Sequence, residues 1–142
     1  MKKFVAIALV SLLFPVMCFA GRMDVRKPAY EQVLNYESQG FSVKDDIQIG
    51  ELEKGRSYYF NTQLTAGIEY FYHFQGDQGV NKINLVIFDE NWKVVAQGNT
   101  EGEGKSIAVT LNPEWSGTFH VKATLVDCNA AFDYWFILAG YR

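Results

Sequence analysis

Two histidines are the side chains of this sequence best suited to metal ligation or acid–base chemistry. His73 and His120 each fall at a strand-like position that faces away from the neighbouring apolar residues. If the two strands are neighbours, both imidazoles could bind a metal ion together with Glu69. The alternative is that both histidines are solvated or lie at strand edges, and we take that as the working interpretation.

Nucleophilic catalysis has little support in the sequence. No Gly-x-Ser-x-Gly motif occurs. Cys128 and His120 could be drawn as a dyad, but we expect Cys128 to be a small, partly buried residue at a loop. The stretch ending in Gly104-Lys105-Ser106 lacks the phosphate-loop glycine spacing and leads into a strand rather than a helix. We therefore predict no catalytic residue and a protein that is not an enzyme.

Calcium is the metal that the acidic residues could hold. Calcium takes six to eight oxygen ligands, usually from several carboxylates and backbone carbonyls. No spaced Asp-x-Asp-x-Asp loop occurs, so a site would have to be assembled by the fold. The alternative is that these residues only solvate turns. The candidate ligands are Asp45, Asp46, Glu51, Glu53 and Asp89.

Aromatic side chains at outward or turn positions are the stronger candidates for binding. Exposed rings on a β-sandwich can stack on sugars or anchor a protein interface. We expect that replacing Phe71 and Trp92 by alanine abolishes binding; if only stability falls, they are core residues. The predicted ligand-binding residues are Tyr59, Phe71, His73, Trp92 and Trp115.

The first twenty residues resemble an export signal. Lys2 and Lys3 precede an apolar run from Phe4 to Phe14, and Ala20 ends a small-x-small cleavage site. The apolar run is too short to span a membrane. We predict a signal peptide at 1–20 and a periplasmic or secreted protein; lipid attachment at Cys18 is a less favoured alternative because Met17 precedes it.

Charge and length limit the classes of partner and the number of domains expected for the mature protein. The formal net charge of −3 becomes −5 once Lys2 and Lys3 are removed. An acidic exported domain has no electrostatic surface for nucleic acid or anionic membranes, and no membrane span is expected after cleavage. About 120 residues remain, enough for one domain with one core. Cys128 is the one cysteine left, so no intramolecular disulfide is predicted.

The hydropathy pattern predicts one helix followed by strands. A helix is expected over 28–39, with Tyr30, Val33 and Leu34 as its apolar stripe and Gly40 as its end. The apolar period then changes to two, over about seven or eight strands. The last strand is apolar on both faces, so it should be central or covered by the helix.

The strand sequences together resemble the bacterial pre-peptidase C-terminal domain. The matching pieces, within Leu52 to Tyr141, are Leu64-Thr65-Ala66-Gly67-Ile68-Glu69-Tyr70, Ile83-Asn84-Leu85-Val86-Ile87-Phe88-Asp89, Trp92-Lys93-Val94-Val95-Ala96 and Ser116-Gly117-Thr118-Phe119-His120-Val121. This chain has Asn84 where the family has an acidic residue and Trp92 where it has a hairpin glycine. The resemblance implies a jelly-roll-like antiparallel β-sandwich that binds a ligand, and some relatives hold calcium through acidic loop residues.

Taken together, we expect an all-β sandwich of about seven or eight strands with one short N-terminal helix. The predicted segments are a signal peptide (1–20), a lead with the helix (21–40) and the sandwich (41–142). The predicted function is an exported, non-catalytic binding module whose partner is an extracytoplasmic protein that it inhibits, neutralises or assists. The alternative is a carbohydrate- or matrix-binding module, with calcium as a potential stabiliser.

Overall fold

The computed structural model of the chain describes residues 21–99 and 104–142. The predicted signal peptide with Cys18, and residues 100–103 of the acidic loop, lie outside the described residues. The elements, in chain order, are α1 (Gly21–Ser38), β1 (Ser42–Val43), β2 (Gln48–Glu53), β3 (Ser57–Leu64), β4 (Tyr70–Gly76), β5 (Val80–Phe88), β6 (Val94–Asn99), β7 (Ser106–Leu111), β8 (Gly117–Cys128) and β9 (Phe132–Tyr141).

The strands form two antiparallel sheets. Sheet A has the order β1-β9-β4-β7, with β2 also paired to β9, and sheet B has the order β3-β8-β5-β6. The orders β2-β9-β4-β7 and β3-β8-β5-β6 are those of an eight-stranded jelly roll. The predicted jelly-roll-like β-sandwich with one helix is confirmed. The described strands number nine because the two-residue β1 adds to the edge of sheet A.

The core between the sheets is built from the alternating residues that the sequence pattern placed there. Tyr70, Tyr72 and Phe74 of β4 face Phe119 and Val121 of β8 in one buried cluster. Burial of such aromatic and branched side chains contributes about 25 cal/mol per Å² of apolar surface removed from water. The hydroxyl of Tyr72 donates to Thr62 Oγ1 at 3.1 Å, and burial raises the pKa of Tyr72 to about 12.

Strand β9 is buried on both faces, as predicted. Trp135 and Ile137 point between the sheets, whereas Phe136 and Leu138 point to the other side, beneath α1. β2 pairs with residues 132–137 of this strand and β4 with residues 135–141, so the strand is hydrogen-bonded to both at 135–137. A strand covered on both sides has no solvated face, which explains its continuous apolar run.

Helix α1 begins earlier than predicted, and of its predicted apolar stripe Val33 packs against the buried cluster beneath the helix. Its buried residues are Val25, Ala29 and Tyr36, whereas Tyr30 and Leu34, predicted to be buried, are exposed. Pro28 lies inside the helix rather than in its first turn. Proline cannot donate a backbone hydrogen bond within the helix. The burial of Val25 and Ala29, on either side of Pro28, offsets the stability that this missing bond costs.

The end of α1 is where the sequence predicted it. Gly40 follows the helix with φ of 86°, and Phe41 N donates to Tyr36 O at 3.1 Å. Glycine is favoured there because a left-handed residue strains other side chains. Within the described residues, no helix has the length and apolar character required to cross a membrane.

The helix makes the two outer faces of the sandwich unequal. It packs against β9, β1 and β2, and so covers the outer face of sheet A. No described helix lies on the outer face of sheet B. An exposed sheet face that carries large apolar side chains is a candidate binding surface.

Candidate functional site

The outer face of sheet B carries a cluster of partly exposed aromatic and aliphatic side chains. Trp92 is 57% exposed and Tyr59 is 54% exposed, and Val94 is also exposed. The register sets Tyr59 beside Lys122, and Phe88 beside both His120 and Val94. We call this surface the open face, and define it by Tyr59, Asn61, Val86, Phe88, Trp92, Val94, His120 and Lys122.

Trp92 has the least usual backbone of the described residues. It lies in the β5–β6 hairpin with φ of 61°, the one non-glycine residue with positive φ in the described part of the chain. A left-handed conformation costs about 1–2 kcal/mol for a residue with a side chain, which is why glycine is usual at such hairpin positions. A bulky residue such as Trp92 in this strained conformation indicates a functional role for its side chain.

Asp89 holds the hairpin that presents Trp92. The side chain is buried, and its Oδ1 accepts hydrogen bonds from Asn91 N and Lys93 N, both at 2.9 Å. Trp92 N donates to Asp89 O at 3.0 Å. This short polar side chain therefore satisfies the backbone donors of the turn.

Replacing Asp89 by alanine leaves two backbone N–H groups without their acceptor. We expect Asp89→Ala to lower the free energy of unfolding by about 1–3 kcal/mol, measured by urea denaturation. Asp89→Asn keeps an Oδ1 acceptor and should retain most of that stability. Equal stability of Asp89→Ala and the wild type would contradict the role assigned to this side chain.

The indole of Trp92 lies flat on the imidazole of His120. The ring centroids are 4.1 Å apart and the planes differ by 2°. His120 Nδ1–H donates to Asn61 Oδ1 at 2.7 Å, which fixes the ring across β3 and β8. The stack contributes about 0.5–1.5 kcal/mol and orients the exposed side of the indole.

The open face contains a cation–π contact and adjoins a groove at its β6 edge. The ammonium of Lys122 lies 5.7 Å from the centre of the Tyr59 ring, within range of a cation–π contact. Beyond the β6 edge, Trp115 and Val94 line a groove of about 330 Å³ whose floor includes Leu111 and Phe119. Trp115 is exposed there. The exposure predicted for Tyr59, Trp92 and Trp115 is thus confirmed, and their binding roles stay predictions.

Phe71 and His73 are not surface residues, and the prediction that they are exposed is wrong. Phe71 is 0% exposed and His73 is 5% exposed. Both point away from the inter-sheet core, as the alternation indicated, but α1 covers that side of β4. Neither side chain can reach a ligand while the helix is in place.

His73 joins the helix to sheet A through hydrogen bonds. The hydroxyl of Tyr36 donates to its Nδ1 at 3.0 Å, and its Nε2–H donates to Gln75 Oε1 at 3.1 Å. Ser106 Oγ lies 3.2 Å from the same Nε2. Burial lowers the pKa of His73, because the imidazolium ion is poorly solvated under the helix.

This lowered pKa makes stability depend on pH. Above about pH 6.5 the imidazole of His73 is neutral in both the folded and the unfolded protein. Below that pH the unfolded chain binds the proton first, because the pKa of His73 is lower in the folded protein. The free energy of unfolding should therefore fall as pH drops through that window, by at most about 1.4 kcal/mol per pH unit. Denaturant unfolding at a series of pH values measures this slope.

The control for this pH effect is the second histidine. His73→Gln should remove the slope that begins below about pH 6.5, whereas His120→Gln leaves the buried imidazole of His73 in place and should keep that slope. The same slope in His73→Gln and in the wild type would show that other groups titrate in this range.

The residues considered for metal or nucleophilic chemistry do not come together. His73 is in sheet A and His120 in sheet B, and Glu69 forms an ion pair with Arg142 at 2.6 Å. Cys128 is buried and its Sγ donates to Ala130 O at 3.1 Å. Burial raises the pKa of the Cys128 thiol, which favours the unreactive protonated form.

The calcium candidates also stay apart. Among residues 25–98 and 104–142, no group of three His, Cys, Asp or Glu side chains is placed to hold a metal ion. Asp45 and Asp46 precede β2, Glu51 and Glu53 lie along it, and Asp89 is used by the distant hairpin. The described side chains therefore give no assembled calcium site.

A polar cleft lies beside α1, at the end of β5 opposite to the hairpin that carries Trp92. It has a volume of about 400 Å³ and lies between the helix and the β4–β5 turn. Lys27 and Lys105 line it together with Glu31 and Asp77, so positive and negative charges are mixed. This cleft does not share a residue with the open face.

Sequence reasoning missed part of the open face. Phe88, Val94, His120 and Lys122 join Tyr59 and Trp92 there only because β3, β8, β5 and β6 pair in that order. Outward alternation was the available signal for each residue alone. The pairing of strands distant in sequence, which the alternation does not contain, makes them one surface.

The fold of this chain has counterparts among proteins of known structure. No family model matches the chain, and no curated protein matches it in sequence. The fold is similar to that of Aeromonas hydrophila PliG, a periplasmic lysozyme inhibitor of g-type lysozyme, with a TM-score of 0.49 and 10% identity over 73% of this chain and 90% of that one. A similarity at this level carries no argument about function.

Proposed function

We propose that this chain is an exported, non-catalytic β-sandwich that binds an extracytoplasmic protein through its open face. It acts on that partner as an inhibitor, an immunity factor or an accessory subunit. Export rests on the signal-like residues 1–20 of the sequence. The resemblance to pre-peptidase C-terminal domains, which are binding modules, supports the same proposal.

The observation that carries the proposal is the placement of Trp92. An exposed indole occupies a hairpin position where glycine is favoured, and it is held flat by His120. Tryptophan and tyrosine dominate the energetically important contacts of protein interfaces, because they bury large rigid surfaces at a small entropy cost. Tyr59 and Val94 provide further apolar area on the same side.

A capture experiment tests this proposal. The protein is produced from residues 1–142 and purified after export, so that the cell sets its N-terminus. Envelope and secreted extracts are passed over the wild type, over Trp92→Gly and over Leu34→Ser, whose exposed side chain lies on α1. Bound proteins are identified by mass spectrometry. The g-type lysozyme that PliG inhibits is one purified enzyme to include, although the proposal does not depend on it.

We expect one stoichiometric protein on the wild type and on Leu34→Ser, and none on Trp92→Gly. Capture of the same protein by the wild type and by both variants would contradict docking at the open face. The alternative is that exposed rings of the open face stack on sugars, as in a carbohydrate- or matrix-binding module. Trp92-dependent binding to polysaccharide or collagen, without a protein partner, would support that alternative and overturn the proposal.

A further inference from the structure

The open face differs from the whole chain in the sign of its charge. The formal net charge of the chain is −3. The strand segments that form the open face are 59–63, 84–88, 94–97 and 118–124, and none of them contains an aspartate or a glutamate. Lys122 is the basic residue at their centre. Among the described residues, the carboxylates nearest to these segments in the chain are Asp89, which is buried, and Glu90, which is exposed in the β5–β6 hairpin.

Lys122 has no carboxylate partner within the described part of the chain. The ion pairs there are made by Lys54, Arg56 and Arg142, all outside the open face. Lys122 Nζ instead lies over the ring of Tyr59. A cation held beside an aromatic ring, with no carboxylate of its own, is available to pair with a carboxylate on a docked molecule.

We propose, resting on the proposed function, that the partner docks a segment with Asp or Glu carboxylates beside apolar side chains. A carboxylate pairs with Lys122, while the apolar side chains pack on Trp92, Phe88 and Val94. The strand segments around Lys122 carry no carboxylate that would repel such a segment, and the single lysine orients the docked carboxylate. Mixed aromatic and aliphatic surface around one cation fits a protein segment better than a sugar chain.

A random dodecapeptide library displayed on phage provides the probe. The library is selected on the exported wild-type protein and, in parallel, on Lys122→Glu and on Lys105→Glu. Lys105 is an exposed lysine of the cleft at the other end of the sandwich, so it is the matched control. The affinity of each enriched peptide and of its amide version, with Asp and Glu replaced by Asn and Gln, is then measured by titration.

We expect enrichment of acidic peptides with aromatic or aliphatic neighbours on the wild type and on Lys105→Glu. Their amide versions should bind about fivefold more weakly, and Lys122→Glu should weaken the acidic peptides by at least that factor. Higher salt should reduce the difference between acid and amide versions.

Three results would overturn this inference. They are enrichment of neutral or basic peptides, selection of the same acidic peptides by Lys122→Glu, and Lys122-dependent binding of polygalacturonate without any acidic peptide. The proposed function is tested separately. If Trp92→Gly loses the captured protein and Lys122→Glu binds it as tightly as the wild type, the carboxylate inference fails and the proposed function stands.

Discussion

Replacing Phe71 by alanine should lower the free energy of unfolding by about 3–5 kcal/mol. The ring is 0% exposed and stacks on Tyr36, with centroids 3.8 Å apart and planes within 8°. Phe41 meets it edge-on at 5.0 Å. A Cβ on Gly140 would collide with the Phe71 ring, so glycine at that position admits the ring between α1 and the sheet. Denaturant unfolding measures the loss.

The matched control is a tyrosine on the other outer face. Tyr59→Ala removes a comparable ring from an exposed position and should change stability by no more than about 0.5 kcal/mol. We also expect Phe71→Ala to reduce the helical circular dichroism signal, because α1 loses its central contact. A Phe71→Ala protein as stable as Tyr59→Ala would show that α1 does not pack on β4 as described.

Replacing Trp92 by glycine should weaken partner binding at least about 30-fold without destabilising the fold. The variant loses the stack on His120, worth about 0.5–1.5 kcal/mol, and relieves a backbone strain of about 1–2 kcal/mol. These two effects nearly cancel, so stability should be unchanged or slightly raised. Titration of the captured partner and urea denaturation measure the two quantities on the same protein.

Trp92→Phe separates the ring from the backbone. It keeps an aromatic side chain at the same left-handed position, so it should retain part of the affinity, with the stability of the wild type. If Trp92→Gly binds the partner as tightly as Trp92→Phe, the indole is not an anchor. If Trp92→Gly unfolds, the hairpin depends on the Trp92–His120 stack more than the strain argument allows.

Strand faces could be derived from the sequence because the alternation of a strand is local. Tyr70, Tyr72 and Phe74 lie in the inter-sheet core as expected. One apolar face of β9 is buried in the same core, and the other is buried beneath α1. Each residue's side of the sheet depends only on its immediate neighbours in the chain. That is why these predictions hold without knowledge of the strand order.

The element that covers a given face of a strand could not be predicted from this local alternation. Phe71 and His73 are on the predicted side of β4, but α1 buries them there. The predicted helix stripe was Tyr30, Val33 and Leu34; Val33 packs against the buried cluster, whereas Tyr30 lies next to the buried Ala29 in sequence and is exposed. A small residue such as alanine gives a weak hydropathy signal, although its size lets the helix approach the sheet closely.

At the candidate site too, some features follow from local sequence and others depend on strand pairing. Trp92 could be singled out from the sequence, because it is a large aromatic residue in a predicted turn. Its stack on His120 depends on β5 and β8 being paired, with Phe88 opposite His120. That register joins residues more than 30 positions apart and is set by the packed core rather than by local pattern.

Hydroxyl-radical footprinting of the complex with the captured protein tests docking at the open face most directly. Trp92, Tyr59 and Tyr30 are all more than half exposed in the free protein, so all three should be oxidised readily. In the complex we expect oxidation of Trp92 and Tyr59 to fall, while Tyr30 on α1 stays as reactive as before. Protection of Tyr30 with unchanged oxidation of Trp92 and Tyr59 would contradict the account and place the interface on the helix.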